Sequence, residues 1–149
     1  MAEPGLTTML VDVDGTVANM HKGEPGRRAP FDWHRVGEDA PIDPIIDVVQ
    51  RLRGAVDYVT WMSGRSDACR EATAGWLHLF AGADWAYGDE LYMRTHGDFR
   101  PDELVKGELY LQHVEPKAHV RWVLDDRDKV VKMWRQRGLT VLQVADGAF

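Results

Sequence analysis

Apolar positions along the chain fall into short continuous runs that alternate with stretches of helical spacing. The run Met9-Leu10-Val11 leads into Asp12 and predicts a buried strand over about residues 7–12, closed by a turn at Gly15. Residues 1–6 ahead of it are expected to be a short, mobile lead-in. Residues 17–41 are expected to be irregular, because Gly23, Pro25, Gly26 and Pro30 break any helix there. Asp43 and Pro44 then suit a helix cap and first helical residue. Ile45, Ile46, Val48, Val49 and Leu52 follow at helical spacing, up to about Gly54. A second strand is predicted over 56–62, ending in Ser63-Gly64-Arg65, and then a helix over about 66–80 with Trp76, Leu77 and Phe80 inward. Residues 90–93 read as a strand and 101–113 as a helix with Leu104, Leu109 and Leu111 inward. A strand over 119–124 ends in Asp125-Asp126, a helix over 129–137 is stopped by Gly138, and a last strand covers 139–144.

Strands alternating with helices predict an α/β fold, a three-layer Rossmann-like parallel sheet covered on both faces. Ligands of such sheets bind beyond the carboxyl ends of the strands. Three strand ends carry polar groups: Asp12 with Asp14, Ser63 with Arg65, and Asp125 with Asp126.

Length and composition narrow the class without naming a chemistry. At 149 residues the chain has the size of one ordinary domain. A hydrophobic fraction of 44% and a charged fraction of 28% suit a soluble globular protein. No apolar run approaches the roughly 18 residues needed to cross a bilayer, and no export signal is expected in the opening residues. With Cys69 as the lone cysteine, a reducing, cytoplasmic setting is expected. The net charge of −6 argues against a protein that coats nucleic acid, though not against an enzyme that grips one end of a strand.

Two carboxylates one residue apart, Asp12 and Asp14, begin on the same face of a strand. Their mutual repulsion, about 4 kcal/mol at 4 Å for an effective dielectric near 20, is tolerated when a cation sits between them. Oxygen ligands of this kind suit Mg2+, with Asp126 and Asp125 completing the cage. Asp12 can serve as a nucleophile on phosphorus, and Asp14 as the acid that protonates the leaving oxygen and then the base that activates water. Ser63 and neighbouring N–H groups suit a phosphate oxygen at a turn opening a helix. Lys106 can add a point charge. Each residue alone also has a plainer reading, as a turn residue, a cap or a surface charge. His21, His34, His78, His96, His113 and His119 show no metal-ligand spacing and read as structural or surface residues. Trp76 and Trp134 fall on helical patterns as core residues, while Trp33 and Trp61 are expected to flank the site.

The order Asp12-Val13-Asp14-Gly15-Thr16, Arg28-Ala29-Pro30-Phe31-Asp32, Ser63-Gly64-Arg65, Asp125-Asp126-Arg127 and the stretch 130–149 resembles one family over nearly the whole chain. It is similar to the 3′-phosphatase domain of phage-type polynucleotide kinase/phosphatases, within the haloacid dehalogenase superfamily. The resemblance implies a haloacid dehalogenase fold with only a small cap segment, about 17–41, in a single phosphatase domain spanning 1–149. It implies a Mg2+-dependent phosphatase that removes 3′-phosphates, and also 2′,3′-cyclic phosphates, from DNA or RNA ends or nucleotides. By motif position Asp12 would be nucleophile and Asp14 general acid/base. Asp12, the Asp14 carbonyl and Asp126 would hold Mg2+. Arg28 and Arg65 would contact the substrate phosphate together with Ser63 and Gly64, and Lys106 would bind it. Asp102 would orient Lys106, with Asp125 and Arg127 in supporting places. No GxxxxGK[ST] stretch occurs, so no kinase domain is expected here, which leaves open a free-standing phosphatase or one subunit beside a separate kinase or ligase partner. The pattern leaves open a phosphatase of free nucleotides or other small phosphomonoesters, and it leaves the oligomeric state open.

Overall fold

The computed structural model describes residues 5–149. Residues 1–4, most of the expected lead-in, lie outside the described residues, and Leu6 already belongs to a strand. In chain order the strands are β1 (Leu6–Asp12), β2 (Ala18–Asn19), β3 (Ala40–Pro41), β4 (Tyr58–Ser66), β5 (Glu90–Arg94), β6 (Ala118–Asp125) and β7 (Val141–Gln143). Five of them form one parallel sheet in the order β5-β4-β1-β6-β7. The helices are α1 (Asp43–Leu52), α2 (Arg70–Ala81), α3 (Asp102–Leu109) and α4 (Asp128–Gln136). The two-stranded ribbon of β2 and β3 and a 3-10 turn at Trp33–Glu38 lie within the segment expected to be irregular.

The pleat of β1 explains the three layers. Met9 and Val11 join a core with Ile46, Val49, Trp76 and Leu77 of α1 and α2. Leu10 joins a second core with Tyr110, Val130, Val131 and Trp134. Successive side chains of a strand face opposite sides, so one central strand fills both cores. All three side chains are fully buried, each contributing about 1.5–3 kcal/mol. Asp12 follows Leu10 by two residues and so points to the side of α3 and α4.

Several expected details differ. Phe80, Leu104 and Leu111 are exposed rather than inward. Phe80 packs on Trp76 near the end of α2, its ring 5.3 Å from the indole. In α3 the inward positions belong to Val105 and Lys106, and a π-helical turn over Tyr110–Val114 carries Tyr110 and Val114 inward instead of Leu111. Asp43 is the first residue of α1 and Ile42 its cap, one position from the reading above. Ser63-Gly64-Arg65 lies inside β4, not after it, and α2 starts at Arg70 behind a short 3-10 turn.

Trp61 does not flank the site. It is fully buried in the core, and its indole N–H donates to Asp89 Oδ2 at 3.3 Å. Asp89 also accepts from both Arg53 Nη atoms at 2.8 and 2.7 Å and from the N–H groups of Val59 and Asp84. Burial pushes this carboxyl up, but Arg53 and the backbone donors outweigh it and hold it below the usual carboxylate range. We expect Asp89→Asn to cost about 2 kcal/mol at pH 7, the worth of a charge-assisted bond. Its native value lies below the unfolded value of about 3.9, so the charge stabilises fully above that pH and the benefit vanishes as pH falls through the native value. Thermal unfolding of both proteins at pH 7 and pH 3 checks this: the gap in Tm should narrow in acid.

Candidate active site

The carboxyl ends of β1, β4 and β6 converge with the N-terminal half of α3 around a cleft of about 350 Å3. After Asp12 the chain turns sharply, with the Val13 carbonyl accepting from the N–H groups of Thr16, Val17 and Ala18. Gly15 makes this turn at φ 80°, and a Cβ there would lie 2.1 Å from Asp126 Oδ2. Glycine is therefore required twice over, by conformation and by the approach of a carboxylate.

Asp12 is buried between donors. Lys106 Nζ donates to its Oδ1 at 2.7 Å and Thr16 Oγ1 to its Oδ2 at 2.9 Å. Lys106 also reaches Asp125 Oδ2 at 3.3 Å. Burial and the neighbouring Asp125 push the Asp12 carboxyl well up, against the opposing pull of Lys106. Burial alone would lower the Lys106 ammonium, but Asp12, Asp125 and Asp102 hold it above the usual lysine range. Asp126 is pushed up as well, by burial first.

Oxygens of Asp12, Asp125 and Asp126 lie within 4.8 Å of one another. Three carboxylates against the one ammonium of Lys106 leave two negative charges in a buried space, the charge of one divalent cation. The oxygens are not equivalent. Asp125 already accepts from the N–H groups of Asp126 and Arg127, from Lys106 and from Trp134 Nε1. Its lone pairs are taken, so Asp12 and Asp126 have the oxygens free to bind a hard cation. The Asp14 side chain turns away from this cluster.

Asp14 instead meets Arg65, which donates Nε–H to Oδ2 at 2.9 Å and Nη2–H to Oδ1 at 2.7 Å. An irregularity in the β4–β5 ladder between Ser63 and Ser66 places Gly64 and Arg65 against the cleft. Ser63 is fully buried and its Oγ accepts the Arg65 backbone N–H at 3.1 Å, so the hydroxyl shapes the strand rather than lining the cleft. Arg28 is buried behind Asp14, 3.7 Å from Oδ1, and does not line the cleft. Asp102 contacts Arg94 at 2.6 Å and Arg127 at 3.2 Å, and faces Gly64, whose Cβ would come within 2.2 Å of Oδ1. It acts on Lys106 through space and not by a bond. Burial pushes its carboxyl up, but Lys106 and Arg94 hold it below the usual range.

Sequence reasoning missed Asp39. Its buried carboxylate takes Arg28 Nε–H at 2.7 Å and Arg65 Nη2–H at 2.7 Å, and its carbonyl accepts the Trp76 indole N–H. One carboxylate thus aligns both arginines that face Asp14. Gly37-Glu38-Asp39-Ala40 gives no periodic signal for this, since Asp39 follows a 3-10 turn within the segment expected to be irregular. Arg94 was missed too, for want of any motif around it. Trp33 does line the cleft, as expected.

Residues 6–149 match the family described as the polynucleotide kinase PNKP phosphatase domain. A provisionally named bifunctional polynucleotide kinase/RNA ligase from Autographa californica nuclear polyhedrosis virus is 34% identical over 129 residues, covering 85% of this chain and 17% of the viral protein. Two solved structures of the Pnkp1/Rnl/Hen1 complex, one described as an RNA repair complex, contain a chain that is 31% identical. They superpose with TM-scores of 0.83 and 0.85 over 97% and 100% of this chain, which spans 44% and 49% of those chains. The chain therefore spans about a sixth of the viral relative and under half of the structural ones.

Proposed function

The chain belongs to the family of polynucleotide kinase phosphatase domains, a haloacid dehalogenase-type fold, and on that premise we propose that it is a Mg2+-dependent phosphatase of nucleic-acid 3′ ends. Its substrates are 3′-phosphates and 2′,3′-cyclic phosphates. The observation that carries the reading is the buried Asp12–Lys106 pair beside Asp14 and Asp126 at the open end of a parallel sheet. We read residues 17–41 as a small cap on the phosphatase unit. The product of the reaction is a 3′-hydroxyl, so the activity fits beside a kinase that prepares the opposing 5′ end and a ligase that joins the two. Among the described residues no helix is long and apolar enough to cross a membrane.

In this mechanism an Asp12 carboxylate oxygen attacks phosphorus while the bond from phosphorus to the ribose 3′-oxygen breaks. The leaving oxygen takes a proton from the Asp14 carboxyl. Water then attacks the aspartyl-phosphate, gives its proton to the Asp14 carboxylate, and releases inorganic phosphate with Asp12 restored. Arg65 keeps Asp14 in place, itself aligned by Asp39. Lys106 favours the ionised form of Asp12 against burial and faces the incoming phosphate. Asp12, the Asp14 carbonyl and Asp126 would hold Mg2+, which supplies charge stabilisation for the anionic phosphoryl group.

Phosphate release from a 3′-phosphorylated oligonucleotide, a nucleoside 3′-monophosphate and a 5′-phosphorylated oligonucleotide tests the proposal, each with Mg2+ and with a chelator. The expected result is release from the first, abolished by chelation. Faster release from the free nucleotide would move the function to nucleotide metabolism, and release only from the 5′ end would overturn it.

A further inference from the structure

None of the four phenylalanines of this chain is in the core. Phe31 is 76% exposed, Phe99 90% and Phe149 64%, and all three line the cleft that ends at Asp12. Single exposed aromatics are ordinary on a protein surface, but three on one cleft beside a buried carboxylate cluster mark a binding surface. The core takes its aromatic volume from tryptophan and tyrosine instead, with Trp61, Trp76, Trp134, Tyr58 and Tyr110 buried.

One of these rings is packed at its edge and another sits on a pinned loop, and both are left uncovered. Phe31 packs edge-on with Trp33, 5.7 Å between centroids at 86°. Phe99 sits in the loop from β5 to α3 between Asp98 and Arg100. That loop is pinned where Arg100 binds both Asp98 and Glu108.

Each lysine and arginine lining the same cleft already touches a carboxylate, with Arg94 and Arg127 sharing one, and His96 there bonds the Ser66 hydroxyl. Arg65 is paired with Asp14, Arg94 and Arg127 with Asp102, Arg100 with Glu108, and Lys106 with Asp12. A polyanion gains affinity where free cations neutralise its phosphates, and here each phosphate beyond the reacting one would have to compete with an internal acid. The bases are the remaining source of affinity, since every base offers an apolar face to an aromatic ring.

We infer that Phe31 and Phe99 form a stacking subsite for the last bases of a single strand whose terminal phosphate lies over Asp12. The inference rests on the phosphatase reading above. A duplex end has its bases already stacked on one another and offers these rings only the outer face of its last pair.

The test compares a single-stranded oligonucleotide ending in a 3′-phosphate with the same oligonucleotide made abasic at its last two positions. We expect the wild-type protein to favour the complete substrate by about 100-fold in kcat/KM, about ten-fold for each stacked base, chiefly through KM. Phe31→Ala and Phe99→Ala are each expected to narrow that preference about ten-fold, and Phe31→Trp and Phe99→Trp to keep it. Equal turnover of the two substrates by the wild type would overturn the stacking subsite while leaving the phosphatase reading intact. So would a loss in the alanine variants that is equal on both substrates, which would assign the rings to the framework of the cleft. No phosphate release from either substrate would overturn the phosphatase reading and the subsite with it.

Discussion

Asp12→Asn is expected to lower kcat by about ten-thousand-fold or more, with the fold retained, because on the proposed mechanism it removes the attacking oxygen and little else. The amide keeps the volume of the carboxylate. Its carbonyl can still accept from Lys106 at the position of Oδ1, and its NH2 group can donate to the Thr16 hydroxyl, which accepts as readily as it donates. Neutralising one of three buried carboxylates also relieves their repulsion, so Tm should stay level or rise in metal-free buffer. Phosphate release under single-turnover conditions, measured beside thermal unfolding, checks both halves. Activity within ten-fold of the wild type would remove Asp12 as nucleophile. A collapse in Tm would make the residue structural.

Lys106→Met is expected to fail in the opposite way, in stability as well as activity. Methionine fills the same buried stem but leaves Asp12 and Asp125 without their cation. Breaking a buried pair from one side costs about 3–5 kcal/mol, which in a chain of this length lowers Tm by about 6–20 °C. Loss of a positive charge beside the developing phosphoryl charge should lower kcat a further 100- to 1,000-fold, an order-of-magnitude figure for one electrostatic donor. Part of the lost Tm should return with added Mg2+, because a divalent cation can take up the unbalanced negative charge. A variant as stable as the wild type would mean that the three carboxylates are not charged together in the native protein.

How much of this was legible in the sequence follows the length scale of each interaction. The strand Met9-Leu10-Val11 and its carboxylates were legible because apolar run, acid pair and glycine are local and adjacent. The α/β alternation was legible for the same reason, and the comparisons and the sheet bear it out. The inward face of α3 was misread, because a buried lysine at position 106 has no local signature: it is inward only because Asp12, 94 residues earlier, requires a cation. Asp39 was missed on the same principle, since its partners Arg28 and Arg65 lie 11 and 26 residues away. Ser63 was placed at a turn because Gly64 suggested one. The glycine instead serves the close approach of Asp102 within a strand that runs on to Ser66.

Two of the glycines that leave no room for a Cβ, Gly15 and Gly64, also say where this fold is free to diversify. Each has a carboxylate in the space a side chain would fill, Asp126 in one case and Asp102 in the other. The floor of the cleft is thus built of segments in mutual contact, where neither partner can change without the other. Gly23 and Gly26, within residues 17–41, have nothing within 4 Å of the place a Cβ would take, so only their own φ of 85° and 78° calls for glycine and the positions around them are open. Insertions, new side chains and new specificities can accumulate there without disturbing the chemistry below, so relatives that act on different ends should differ first in the length and composition of residues 21–27.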